Sequence, residues 1–400
     1  MKNVMYVQIM GHEYPVEANP GDELYVNRLA QFTANSFAAL GFTAESVRSI
    51  NPAYGDHLVL TRRGHGPKQI ALVSHLDTVF PPEEEARHNF HWLPEGDRIY
   101  GPGTHDIKGG TAMMWLVLHA LQAQAPAVFD AFTWKLLWNS SEEVISQDFG
   151  AVCRAQFGSN TLAALVFEAE GRFGEERLMV VARKGRATWR VTVTGRGAHA
   201  GSKHRHGANA ILQLGLTLQR VAALTDHSRD LTFNIGTVSG GTVLNRVPHE
   251  AVAEGEMRAF TPEIYSSGKT ALLNLAGPGE IRALADRFAC DVRVEILSES
   301  RPWPRNAATD QLAALWQQAG GELNIPVNVE QRGGLSDGNL IWDAVPTLDG
   351  LGPWGDNDHC SERSADGTKV PEYVEISSFV PKAALNTTAI LKLASLKSEI

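Results

Sequence analysis

The chain of 400 residues carries 36 basic and 45 acidic residues, a formal net charge of −9, and is 43% hydrophobic and 20% charged. That length predicts two or three domains. The apolar content excludes a wholly disordered or collagen-like chain, and the acidic balance argues against a general nucleic-acid binder. Cys153, Cys290 and Cys360 lie far apart and form no CxxC pair. This argues against a disulfide framework and suits a reducing compartment. The N-terminal MKNVMYVQIMGHEYPVEANPG lacks a basic start followed by a long apolar run, so it does not read as a signal peptide. The densest apolar run, Ala112–Leu118, is far short of the roughly 20 residues that span a bilayer. The expectation is a cytoplasmic protein with neither nucleic acid nor membrane as partner.

In chain order, Leu24–Leu40 has apolar residues at helical spacing. Lys68–Val73 is a short β-rich run leading into Ser74-His75-Leu76-Asp77. Thr111–Ala123 predicts a helix after a glycine-rich loop, and Phe132–Trp138 and Leu162–Phe167 are further apolar runs. Apolar runs alternating with helices predict a mainly parallel sheet covered on both faces. From Lys184 the texture changes. Arg186–Thr194 alternates polar and apolar residues, as a half-exposed antiparallel strand does. A helix over Ala208–Leu224, strands at Leu231–Val238 and Ala251–Arg258, a helix over Ala271–Phe288 and a strand at Asp291–Leu297 follow. The order β-α-β-β-α-β is that of a ferredoxin-like unit. Arg301-Pro302-Trp303-Pro304 then reads as a linker back. The predicted organisation is an α/β domain, residues 1–183 and 300–400, interrupted by an inserted α+β domain, residues 184–299.

Five short segments carry candidate chemistry. His75 and Asp77 share one side of a strand end, where a carboxylate can orient a metal-bound imidazole. Asp106 sits between two glycine clusters in Gly101–Gly110 just before a helix. His105, its neighbour, reads as structural. Glu142-Glu143 follows a strand, so one carboxylate can hold a metal while the other stays free as a base. Glu168-Ala169-Glu170 follows another apolar run, and His359 lies in a late glycine-rich loop. Singly, each has an ordinary reading as a polar strand end, a helix cap or a surface residue. Together they place a histidine or carboxylate just past several successive strands. Five such ligands suit two metal ions sharing a bridging carboxylate, an arrangement that clamps and ionises a water. Imidazole and oxygen donors without thiolates favour Zn²⁺, with Mn²⁺ or Co²⁺ as alternatives.

SHLDTVFP (Ser74–Pro81), GPGTHDIKGG (Gly101–Gly110), SSEEV (Ser140–Val144), FEAE (Phe167–Glu170), GRGAHAG (Gly195–Gly201), SGGTVLNRVPHEAVAEGEMR (Ser239–Arg258), GGLSDGN (Gly333–Asn339) and the late His359 resemble, in order, the motifs of the glutamate carboxypeptidase / acetylornithine deacetylase / succinyl-diaminopimelate desuccinylase family of di-zinc metallopeptidases. The resemblance implies a zinc-exopeptidase-like catalytic domain with an inserted lid that makes a homodimer. It implies that His75 binds one zinc with Asp77 orienting it, that Asp106 bridges both, and that Glu168 completes the His75 site. Glu143 and His359 would bind the second zinc, and Glu142 would be the general base. His199 would reach the partner subunit's site and stabilise the oxyanion, while Asn245 and Arg258 would hold a substrate carboxylate. The implied substrate is a small peptide or N-acyl amino acid. Three positions depart from the family's pattern: Ser141 where an acid is usual, Cys360 where a small hydroxyl residue is common, and Glu256 where Asp is usual. None removes a ligand or the base.

Two rivals stand beside this reading. Gly334-Leu335-Ser336-Asp337-Gly338 fits a nucleophile elbow, with Asp349 or Asp356 and then His359 in the chain order of a serine hydrolase triad. Only 62 residues follow Gly338, which is cramped for such a fold, and the five clustered sites stay unexplained. A catalytically silent metal- or peptide-binding protein is the other rival, and an intact Glu142 argues against it.

Overall fold

The computed structural model describes residues 6–9, 12–15, 23–144, 146 and 148–395. Most of the N-terminal segment read above for a leader lies outside these residues. The chain forms two compact units: one comprises the chain up to Val181, Arg305–Gln331 and Ser336 onward, the other Ala182–Pro304 with Arg332–Leu335. The short return of Arg332–Leu335 has a local cause. Arg183 Nη1 donates to the carbonyls of Gly334 and Leu335 at 3.3 and 2.9 Å. Among the described residues no helix is long and apolar enough to cross a membrane.

The first unit is built on a six-stranded sheet. Its strands are β1 (Thr43–Val47), β2 (His57–Arg62), β3 (Gln69–His75), β4 (Thr133–Asn139), β5 (Thr161–Val166) and, far along the chain, Thr347–Leu348. The order across the sheet is Thr347–Leu348, β5, β3, β4, β2, β1. The first three pairings are parallel and the last two antiparallel. Both faces are covered, so the strands are apolar in both parities. Ile70, Leu72, Leu136 and Leu165 enter one core with Val26 and Phe37 of helix α1 (Glu23–Ala38) and Met113, Val117 and Leu121 of helix α2 (Gly109–Gln124). Ala71, Val73, Leu137 and Val166 enter the opposite one with Phe149 and Ile341. The register pairs His75 with Asn139 at the carboxyl ends of β3 and β4. A small four-stranded sheet of Leu93–Glu95, Arg98–Tyr100, Tyr373–Glu375 and Gly355–Asp356 links the start of the Gly101–Gly110 loop to the loop bearing His359.

The second unit is an antiparallel sheet of β6 (Gly185–Thr194), β7 (Thr232–Gly240), β8 (Glu250–Ala259), β9 (Gly277–Arg282) and β10 (Ala289–Ser300), in the order β7-β8-β6-β10-β9. The alternation expected in β6 appears as strictly alternating burial up to Val193. Helices α3 (Ala210–Ala223) and α4 (Pro262–Leu273) complete the ferredoxin-like order. The second helix is not at Ala271–Phe288 as the apolar spacing suggested. It starts nine residues earlier, where Thr261 caps Ile264 N–H and Pro262 occupies the first turn, both standard start signals. Gly277, at φ +129°, begins the extra strand β9 within the span that reads as helix.

Candidate metal centre

Each ligand candidate in the first unit sits where the fold ends an element. His75 ends β3, Glu142 and Glu143 follow β4 by a short turn, and Glu168 lies two residues past β5. The carboxyl ends of parallel strands are where open α/β sheets bind ligands. Asp106 is brought alongside by its glycines. A Cβ at Gly110 would lie 2.1 Å from the Phe167 carbonyl, so only glycine lets the start of α2 approach the end of β5. His359 arrives from the C-terminal loop with φ +64°, a left-handed conformation uncommon outside glycine.

These residues converge. Donor atoms of His75, Asp106 and Glu168 lie within 4.8 Å of one another, and so do those of Asp106, Glu143 and His359. His75 Nε2 is 2.9 Å from Asp106 Oδ1 and 3.8 Å from Glu168 Oε1. His359 Nε2 is 3.5 Å from both Asp106 Oδ2 and Glu143 Oε2. Asp106 therefore presents one oxygen to each group. The other nitrogen of His75 faces Asp77, 3.1 Å from its carbonyl and 3.3 Å from Oδ1, so Nε2 is the atom turned to the centre. The two oxygens of Asp77 also accept the N–H groups of Glu142 and Glu143, at 3.1 and 3.0 Å. Two triads of oxygen and imidazole donors sharing one carboxylate fit a pair of divalent cations.

The electrostatics follow from crowding. Burial alone would depress His75, but hydrogen bonds with Asp106 and Asp77 raise its pKa well above the ordinary histidine value. Burial would raise Asp106, yet His359 and His75 hold it well below the usual carboxylate range. Burial and the neighbouring Asp106 charge push Glu143 up to about 7. Burial also raises Glu142 well above its usual value, with Asp337, Glu168 and Glu143 adding to the effect. Asp106 beside His359 lifts that imidazole to about 9.

The remaining candidates fall in the second unit. His199 and Asn245 lie on neighbouring segments: His199 bridges Arg246, and Ala200 N–H donates to the Asn245 carbonyl at 2.9 Å. His199 Nδ1 accepts from the N–H groups of Gly201 and Ser202 at 3.1 and 3.2 Å, which leaves the proton of the neutral ring on Nε2. Arg258 is engaged by Glu256 at 2.7 and 3.1 Å and by the Gly333 carbonyl at 2.8 Å.

The serine triad is not formed. Ser336 is buried, and its hydroxyl donates to Asp349 Oδ2 at 2.8 Å while accepting from Gly338 N–H. No histidine is its partner among the described contacts, His359 faces Asp106 and Glu143, and Asp356 is bonded to the neighbouring Asn357 N–H. The elbow pattern here is a capped turn. His105 points away from the centre, its Nδ1 against Asp358 and its ring against Trp354.

Three residues have supporting roles that the sequence does not reveal. Glu372 is fully buried, and its Oε1 accepts the N–H groups of His105 and Asp106. Asp337 is buried against Asn139, with Nδ2 to Oδ1 at 2.7 Å. His57 accepts from Ser140 N–H at 3.2 Å and faces Asp148. Each joins segments distant in the chain, and none lies in a motif with metal-ligand spacing.

Comparison with known proteins agrees with this architecture. Residues 181–271 match the peptidase dimerisation domain M20_dimer. Carboxypeptidase G2 of Pseudomonas sp. (strain RS-16) is 28% identical over 399 residues, covering 95% of this chain and 87% of that protein. Succinyl-diaminopimelate desuccinylase of Nitrosospira multiformis is 25% identical over 377 residues, covering 90% and 89%. A tripeptidase structure from Staphylococcus aureus superposes with a TM-score of 0.75 at 21% identity, covering 95% of each chain. The chain is a hydrolase similar along its length to metallo-carboxypeptidases and deacylases, with a peptidase dimerisation domain inserted in an α/β domain.

Proposed function

We propose that this protein hydrolyses the amide bond of a small peptide or an N-acyl amino acid bearing a free carboxylate. The observation that carries this reading is Asp106, shared between His75 with Glu168 and Glu143 with His359, with Glu142 in neither group. His75, Asp106 and Glu168 would hold one divalent cation, and Asp106, Glu143 and His359 the other; Zn²⁺ suits the donors, with Mn²⁺ or Co²⁺ as alternatives. When bound, such a pair supplies Lewis acidity and lowers the pKa of a water. Asp77 fixes the ring of His75 and the backbone of both glutamates. Glu142, with its proton affinity raised by burial, accepts the proton of the attacking water and returns it to the leaving nitrogen.

His199 presents an N–H donor suited to a developing oxyanion. Asn245 and the Arg258 donors left over from Glu256 and Gly333 would receive the substrate carboxylate. The match to a dimerisation domain supports a homodimer, in which His199 would serve the partner's site. Val238, Val243 and Leu244 are exposed on and beside edge strand β7, a surface suited to a second copy.

A panel of dipeptides and N-acyl amino acids, assayed with added Zn²⁺, Mn²⁺ or Co²⁺, tests the reading. Turnover is expected only for compounds with a free carboxylate, and a chelator should abolish it reversibly. Turnover that survives complete metal removal would overturn it.

A further inference from the structure

The GGLSDGN stretch has no task in the chemistry above, yet its aspartate reaches the centre of the site's scaffold. Asp337 and Asn139 are 2% and 1% exposed. Asn139 Nδ2 donates to Asp337 Oδ1 at 2.7 Å. A main-chain N–H only donates, so Ser141 N–H fixes which end of the Asn139 amide is the oxygen and leaves the nitrogen to face Asp337. That oxygen accepts from Ser141 N–H at 3.0 Å and from the Ser146 hydroxyl at 2.9 Å. Ser146 N–H in turn donates to the Ser141 carbonyl at 3.0 Å. Both ends of the turn that carries Glu142 and Glu143 are tied to one amide oxygen, and Asp337 anchors the nitrogen end of the same amide. Asp77 holds the middle of that turn through the two glutamate N–H groups.

We propose that Asp337 is a positioning residue for Glu142, acting through the amide of Asn139. This rests on Glu142 being the general base. Among the described residues Asp337 Oδ2 is buried without a hydrogen-bond partner, which works against stability. The residue is therefore better explained by what it orients than by what it adds to the fold. Proton transfer is sensitive to small misplacement, and a displaced group slows turnover without changing binding. Among the described residues, the side-chain hydrogen bonds of Asp337 and Asn139 go to no metal ligand, and Asn139 meets His75 through the sheet register.

The test uses the metal-loaded enzyme and the best substrate of the panel above. Asp337→Leu removes the acceptor and is expected to lower kcat by up to about 10²-fold, with KM and the bound-metal stoichiometry unchanged. Asp337→Asn keeps an acceptor oxygen and should stay close to the parent. Asn139→Asp sets two carboxyl groups against each other and should lose turnover. Adding Asp337→Asn to Asn139→Asp exchanges donor and acceptor across the pair and should restore kcat. That rescue also decides the matter if Asp337→Leu fails to fold. Normal kcat in folded Asp337→Leu, loss of metal in step with activity, or a double variant no better than Asn139→Asp overturns the inference. Glu142→Gln separates the two claims. Turnover retained there overturns the base assignment and this inference together. Turnover lost there but unchanged in Asp337→Leu overturns this inference alone.

Discussion

The Glu372 carboxylate accepts the main-chain N–H of Asp106 at 3.2 Å, and that of His105 at 2.9 Å through the same oxygen. The residue shared by both donor groups is thus held from behind by a buried acid 266 positions away. Glu372→Leu should cost about 1–3 kcal/mol by stranding those two N–H groups, seen as a lower melting temperature, and should weaken metal retention. Glu372→Gln keeps an acceptor oxygen and should retain both. Equal metal content and melting temperature in Glu372→Leu would show that this support is unnecessary.

Glu142 belongs to neither donor group, so its removal should separate chemistry from metal binding. Glu142→Gln is expected to keep the parent metal content and lower kcat by about 10²–10⁴-fold, the usual worth of a general base. Metal analysis alongside steady-state kinetics checks this. Loss of metal together with activity would assign Glu142 to the ligands.

Metal binding should depend on pH in a defined direction. In the metal-free protein His359 is lifted to about 9 by Asp106, and Glu143 is pushed up to about 7 by burial and Asp106. Both must lose a proton to act as ligands. Affinity should therefore rise from pH 6 to pH 9, with protons released on binding. The His359 pairing itself stabilises the metal-free fold below the ordinary histidine range, and that contribution is lost as pH rises through about 9. Calorimetry in buffers of different ionisation enthalpy measures the proton release; affinity flat across this range would contradict the assignment.

Ser336 donates to Asp349 and supports a turn. Ser336→Ala should cost about 1 kcal/mol, as loss of one hydrogen bond does, and should leave kcat essentially unchanged. A serine-directed phosphonate should not inhibit. Inactivation by either would reopen the triad.

The proposed sharing of sites across a homodimer predicts complementation. His199→Ala and Glu142→Gln homodimers should each be impaired, and a mixture whose subunits exchange should recover part of the activity. Proven exchange without recovery would place His199 in service of its own subunit or of none.

How much of this was legible in the sequence depends on how local each signal is. His75, Asp77, Glu142, Glu143 and Glu168 each follow an apolar run, so strand ends could be read and their common edge inferred. The alternation of β6 made the inserted sheet visible. The second helix of that unit is set by the cap at Thr261 and Pro262, a start signal that outweighs the apolar spacing over Ala271–Phe288. The supports could not be read at all. Asn139 and Asp337 meet across 198 positions, and nothing local in Pro371-Glu372-Tyr373 marks Glu372 as an amide acceptor. The Ser336 pattern offers a rival for the opposite reason: the local motif is complete, but its partner, Asp349, is fixed by tertiary structure.

The most direct test of the central claim is anomalous diffraction at the zinc edge from crystals of the zinc-loaded protein. Two peaks are expected, one among His75, Asp106 and Glu168 and one among Asp106, Glu143 and His359, with Asp106 touching both. A single peak, or peaks away from Asp106, would contradict the account.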